Sequence, residues 1–118
     1  MEEDIKTTVA ILKEWAKINL IGSNFLSPIG YIYISARGIK EIINQPHRFH
    51  KENIMSLYEI EKLLATAEFV KITGDTKDRP FVWHYLKITI ANNNSYIVVR
   101  EDIQSGNKML YSIVDHIK

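Results

Sequence analysis

Apolar residues in DIKTTVAILKEWAKINLIG fall at Ile5, Val9, Leu12 and Ala16, spaced so that they line one helical face. That pattern predicts a first helix ending near Gly22. Ile11, Trp15 and Ile18 repeat the spacing on a neighbouring face, so the helix carries more apolar surface than packing on one small core requires. The surplus is expected to meet the open face of a sheet, a second copy of the chain or a separate partner. SNFLSPIG reads as a break, and YIYIS then alternates aromatic and aliphatic residues with the period of a strand. ARGIKEIINQ places Ile39, Ile42 and Ile43 on a short helix limited by Pro46, and SLYEIEKLLATAE predicts a further helix with Ser56 and Glu59 as a capping box.

From residue 68 the pattern changes to strands: EFVKIT, FVWHYLKITI, SYIVVRE and KMLYSIVD, joined by the turn-rich GDTKDRP, ANNN and QSGN. Helices first and a meander afterwards predict an α+β fold, with N-terminal helices packed on one face of a mostly antiparallel four- to five-stranded meander sheet. The division expected is an N-terminal helical segment over residues 1–24 and a single α+β domain over 25–118. Strand parity sends Val82, His84, Leu86, Ile88 and Ile90 inward, together with Ile97, Val99, Ile32 and Ile34. Trp83, Tyr85, Lys87, Tyr96, Arg100, Tyr31 and Tyr33 then share the opposite face. Rings beside cations are what single-stranded RNA needs, since unstacked bases lie on rings and phosphates meet Arg or Lys. The competing reading is that these aromatics pair across strands beneath the wide first helix.

Composition narrows the classes. A chain of 118 residues that is 46% hydrophobic suits one compact domain, and a net charge of +1 leaves any basic site local rather than global. There is no cysteine, hence no disulfide framework or thiolate metal site. No stretch has the length of a membrane span, and the acidic start is unlike a signal peptide, so a cytoplasmic location is expected.

The order of elements, together with YIYISARGIKEIINQ, HRFHKENIMSLYEIEKLLATAEFVKI and SYIVVREDIQSGNKMLYSIVD, resembles the barnase, EndoU, colicin and RelE-like superfamily of metal-independent nucleases. Its phage-associated and polymorphic-toxin branch is the nearest likeness, over roughly residues 30 to 115. The resemblance implies RNA cleavage by attack of the ribose 2′-hydroxyl on its own phosphate, with no cofactor. That reaction needs a base, an acid and cations for the developing charge. It implies His50 and His47 as proton-transfer residues, Arg100 for transition-state charge and Ser112 at the hydroxyl position of the last strand. Arg48 and Lys51 would act as phosphate ligands, and Tyr85, Lys87 and Tyr111 as substrate contacts. RNA, including tRNA, is the expected partner, with an inhibitor or immunity protein and a homodimer through the first helix as further expectations.

Against each functional reading stands a plainer one. His47 and His50 can be surface histidines of a polar loop, and a metal held by them would find only Glu52 nearby in sequence. His84 reads as a hydrogen-bonded residue at a strand start, His116 as an exposed residue without a role, and Lys77, Asp78 and Arg79 as a solvated charged loop able to reach RNA beside an active face. The alternatives to a ribonuclease are a non-catalytic protein-interaction module of immunity or adaptor type and an RNA-binding domain. An enzyme should gather His50, Arg100 and Ser112 in one cleft; a module should scatter them.

Overall fold

A computed structural model describes residues 2–44 and 49–117, with side chains from residue 6 onward. Pro46, His47 and Arg48 lie outside the described residues. The first helix, α1 (Glu2–Asn19), leads into a hairpin of β1 (Asn24–Ser27) and β2 (Gly30–Tyr33). Three helical segments follow: α2 (Ala36–Asn44), α3 (His50–Met55) and, after a 3₁₀ turn at Ser56–Glu59, α4 (Ile60–Thr66). The chain closes with β3 (Glu68–Gly74), β4 (Phe81–Ile90), β5 (Asn93–Asp102) and β6 (Lys108–Val114).

The sheet has six strands in the order β1-β2-β6-β5-β4-β3, which corrects the expected four or five. The additional strand is β1, whose NFLS stretch reads as a break because Phe25 and Leu26 are adjacent rather than alternating. Ser27 makes the turn: its Oγ donates to the Gly30 carbonyl at 2.7 Å and accepts the Ile29 amide at 3.2 Å. Nor is the sheet wholly antiparallel, since β2 joins β6 in parallel. The last four strands do form the antiparallel meander. Its β4–β5 turn places Ala91 (φ 52°) and Asn92 (φ 62°) in the left-handed region, the requirement of a two-residue hairpin loop that follows the strand twist.

All four helices serve one face. Leu12 and Ala16 of α1, Leu20 just after it, Ile39, Ile42 and Ile43 of α2, Ile54 of α3 and Ile60 and Leu64 of α4 share a core with Ile32, Leu86, Ile88, Ile97, Val99, Leu110 and Ile113 of the strands. Removal of this apolar surface from water is the main stabilising term, at about 25 cal/mol per Å². The helix α2 starts on Ser35, whose Oγ accepts the Gly38 amide at 3.0 Å. Gly38 then lies directly on β6, where a Cβ would overlap the Leu110 carbonyl oxygen. Ser56 does not act as the expected cap: it has helical geometry, and its Oγ donates back to the Asn53 carbonyl, so α3, the 3₁₀ turn and α4 follow without a break. On α1 the second apolar face divides. Trp15 packs on Tyr58 with ring centroids 4.7 Å apart, whereas Ile11 and Ile18 are 58% and 79% exposed. No helix among the described residues is long and apolar enough to cross a membrane.

Candidate functional site

The other face of the sheet is built from the alternate residues of the same strands. Across β2, β6, β5, β4 and β3 the register aligns Tyr33, Met109, Arg100, Trp83 and Thr73. The next rows are Ser112, Val98, Tyr85 and Lys71, then Val114, Tyr96, Lys87 and Glu68. Simple alternation along β6 would send Ser112 inward with Leu110. A β-bulge prevents this: Val98 faces Ser112 while Val99 faces Leu110, so Tyr111 is the extra residue. Such an insertion re-aims the side chains after it, and here Tyr111 and Ser112 both come to the open face.

Two cavities lie on this face, and among the described residues no helix residue borders either. The larger, of about 530 Å³, is bounded by Trp83, Tyr85, Tyr111 and Ser112 from the sheet, by Asp75 and Arg79 from the β3–β4 loop, and by Asp115 and His116 after β6. The second, of about 510 Å³, is bounded by Tyr31, Tyr33, Arg100, Lys108 and Met109.

Asp75 organises the larger cavity. Its carboxylate accepts Arg79 Nε and Nη2, each at 2.9 Å, the amides of Lys77 and Arg79 at 3.0 and 3.1 Å, and Trp83 Nε1 at 3.1 Å. The Arg79 guanidinium, with the Arg79 amide, Trp83 and the Lys77 amide behind it, holds the Asp75 carboxyl well below the usual carboxylate range. The same pairing raises Arg79. One carboxylate thus fixes a cation at the cavity rim and the indole of its wall, and Tyr111 meets that indole edge-on with centroids 4.8 Å apart. Arg79 remains 49% exposed, with guanidinium donors beyond the two given to Asp75. Beside it, Phe81 carries the Arg79 guanidinium 5.7 Å and the Arg100 guanidinium 4.5 Å from its ring centre. Lys87 is paired with Glu68 at 3.1 Å, whereas Arg100 has no carboxylate partner among the described residues, its Nη2 lying 3.9 Å from Met109 Sδ. His116 Nδ1 is 2.7 Å from Asp115 Oδ1.

Of the residues expected to form a site, Tyr85, Tyr111 and Ser112 meet in the larger cavity, and Arg100 stands on the same face in the second. Lys87 is two residues further along the open face of β4. His50 and Lys51 begin α3 in the helical layer, so the sheet separates them from these groups; Lys51 borders a shallow hollow with Thr89 and Ile90. His50, Arg100 and Ser112 therefore occupy three separate places. Asp75, Trp83 and His116 were not among the expected site residues. An aspartate four residues before an arginine, in a turn entering an aromatic strand, is the sequence signal for the first.

His84, inward as parity requires, is buried with Nε2 at 2.7 Å from Glu101 Oε1, and Lys108 Nζ lies 3.8 Å from the same oxygen. These three groups tie β4, β5 and β6 together at one end of the inner face.

Comparison with curated proteins and with solved structures finds no match. A family model does match, over residues 3–111, and so nearly the whole of this helix-and-sheet unit. The chain belongs to the family described as large polyvalent protein-associated domain 3, a phage- and polymorphic-protein-associated domain.

Proposed function

We propose that the domain binds single-stranded RNA across the open face of its sheet. The observation that carries this reading is Phe81 between two arginines, Arg79 and Arg100, with Trp83, Tyr111, Tyr31 and Tyr33 on a face whose cavities are free of helix residues. Rings accept bases at about 1–3 kcal/mol per stacked base, and guanidinium groups accept the phosphates between them. Because Arg79 and Lys87 are already paired with carboxylates, Arg100 is the main phosphate contact. The small net charge then goes with a short site and a shallow salt dependence.

A second reading, strand cleavage, is favoured by His116, which Asp115 contacts at 2.7 Å and which lines the larger cavity together with Arg79. An imidazole there can take the 2′-hydroxyl proton as that oxygen attacks phosphorus, while Arg79 meets the phosphorane charge. The bond to the 5′-oxygen breaks, that oxygen takes up a proton, and a 2′,3′-cyclic phosphate remains. The resemblance to metal-independent nucleases supports this reading, with His116 in the proton-transfer role first given to His50.

The test is binding of a labelled single-stranded oligoribonucleotide in excess chelator at several salt concentrations, with product analysis. Salt-dependent binding that Arg100→Ala weakens is the expected result. Cleavage to cyclic phosphate ends that His116→Ala abolishes, with binding retained, would establish the second reading. Binding unchanged in both Arg100→Ala and Trp83→Leu would overturn the assignment of the face.

A further inference from the structure

Among the described residues, three keep buried polar side-chain atoms without a hydrogen-bond partner: Asn53, His84 and Ser112. Asn53 and His84 border neither cavity of the open face. Ser112 does: 3% exposed, it is part of the wall of the larger cavity, turned there by the bulge at Tyr111. A buried hydroxyl left without a partner is destabilising, and native structures keep such groups chiefly where something else completes them. Around it the cavity offers the rings of Trp83 and Tyr111, set edge to face, with Val98 and Val114, and the Arg79 cation at the rim. A volume of about 530 Å³ is that of a small-molecule site.

The matching ligand has three parts: a planar ring to lie on one aromatic face, a polar edge to engage one hydroxyl, and an attached anion. We infer that the cavity is a subsite for one nucleotide, in which Ser112 hydrogen-bonds an edge atom of the base, one ring of the Trp83–Tyr111 pair stacks on it and Arg79 meets its phosphate. This inference rests on the RNA-binding reading and deepens it, by making one nucleotide of the strand bound through its base rather than through its backbone alone. Ser112 is then a specificity-determining residue, since a hydroxyl among rings is satisfied by some base edges and left unpaired by others.

The test is calorimetric titration of the whole chain with the four ribonucleoside 5′-monophosphates and with ribose 5-phosphate, for wild type, Ser112→Ala and Arg79→Gln. At least one mononucleotide should bind wild type more tightly than ribose 5-phosphate does. Ser112→Ala should weaken that mononucleotide roughly three- to tenfold, the size of one lost hydrogen bond, and leave ribose 5-phosphate unchanged. Its melting temperature should hold or rise, because the unpaired hydroxyl is gone. Arg79→Gln should weaken both ligands alike. Equal nucleotide binding by wild type and Ser112→Ala, or no mononucleotide binding while RNA still binds through Arg100, would overturn the subsite and leave the face reading standing. Loss of every RNA and nucleotide interaction would remove both.

Discussion

The two faces of one sheet are made by neighbouring residues of the same strands, yet they differ in almost every property. Inward, β4, β5 and β6 present Leu86, Ile88, Ile97, Val99, Leu110 and Ile113, nearly all without solvent exposure and packed beneath four helices. Outward, they present Trp83, Tyr85, Lys87, Tyr96, Arg100 and Tyr111, each partly exposed and none a member of that core. Aliphatic side chains on the first face suit close packing, which is indifferent to chemistry beyond shape. Rings and cations on the second suit a ligand that is flat and negatively charged. The inner face accounts for folding and the outer face for binding, so substitutions on the two should separate cleanly in what they change.

The largest effect expected is on the inner face. Leu86→Ala, at a position with no solvent exposure, should cost about 2–5 kcal/mol in chemical denaturation, whereas Tyr85→Ala, one residue away and facing out, should cost far less. Gly38→Ala comes next: its methyl group meets the Leu110 carbonyl, and moving α2 off β6 should cost about 1–3 kcal/mol in the same measurement. On the outer face Arg100→Ala should leave the denaturation midpoint in place and weaken RNA binding about tenfold, the order of one charge-assisted contact.

Asp75 gives a pH prediction. Its folded value is depressed, so its contribution is complete above the usual carboxylate range and is lost as pH falls through the lower, folded value. The near-ultraviolet signal of Trp83, taken as the difference between wild type and Asp75→Asn, should therefore persist from neutral pH down through the range in which ordinary carboxylates protonate. Loss of that difference at ordinary carboxylate pH would show that Arg79 does not hold Asp75. The smallest effect is in the β4–β5 turn, where Ala91→Gly relieves a left-handed alanine and should raise stability by about 1 kcal/mol in thermal melts.

Much of this contrast is legible in the sequence because period-two alternation is a direct consequence of strand geometry. Val82 to Ile90 and Ile32 with Ile34 show it without interruption. The pattern fails where geometry departs from the period. The bulge at Tyr111 inverts the parity of Ser112, and nothing local in KMLYSIV marks the inserted residue. The strand β1 is too short to alternate, and its Ser27–Gly30 turn has the composition of any loop. The Ser56–Glu59 pair has the spacing of a capping box, but α3 supplies a preceding turn, so no helix begins there.

The candidate site was legible as a face and not as a constellation. Residue type and parity bring Tyr85, Arg100 and Trp83 together, because those quantities are local. The place of His50 depends on which side of the sheet the helices take, a tertiary fact, whereas the place of Arg79 follows from a loop folded around a carboxylate four residues earlier, a local signal. His116 owes its position to the chain after β6, which reaches the larger cavity from the opposite end of the strands to the β3–β4 loop.

The most direct test of the two-face account is amide chemical-shift mapping of the labelled chain during titration with a short single-stranded oligoribonucleotide. The account predicts shifts at Trp83, Arg100, Tyr111 and Ser112 and at Arg79 in its loop, with the amides of α2 and α4 unmoved. Shifts centred on the helices, with the open face of the sheet unmoved, would contradict it.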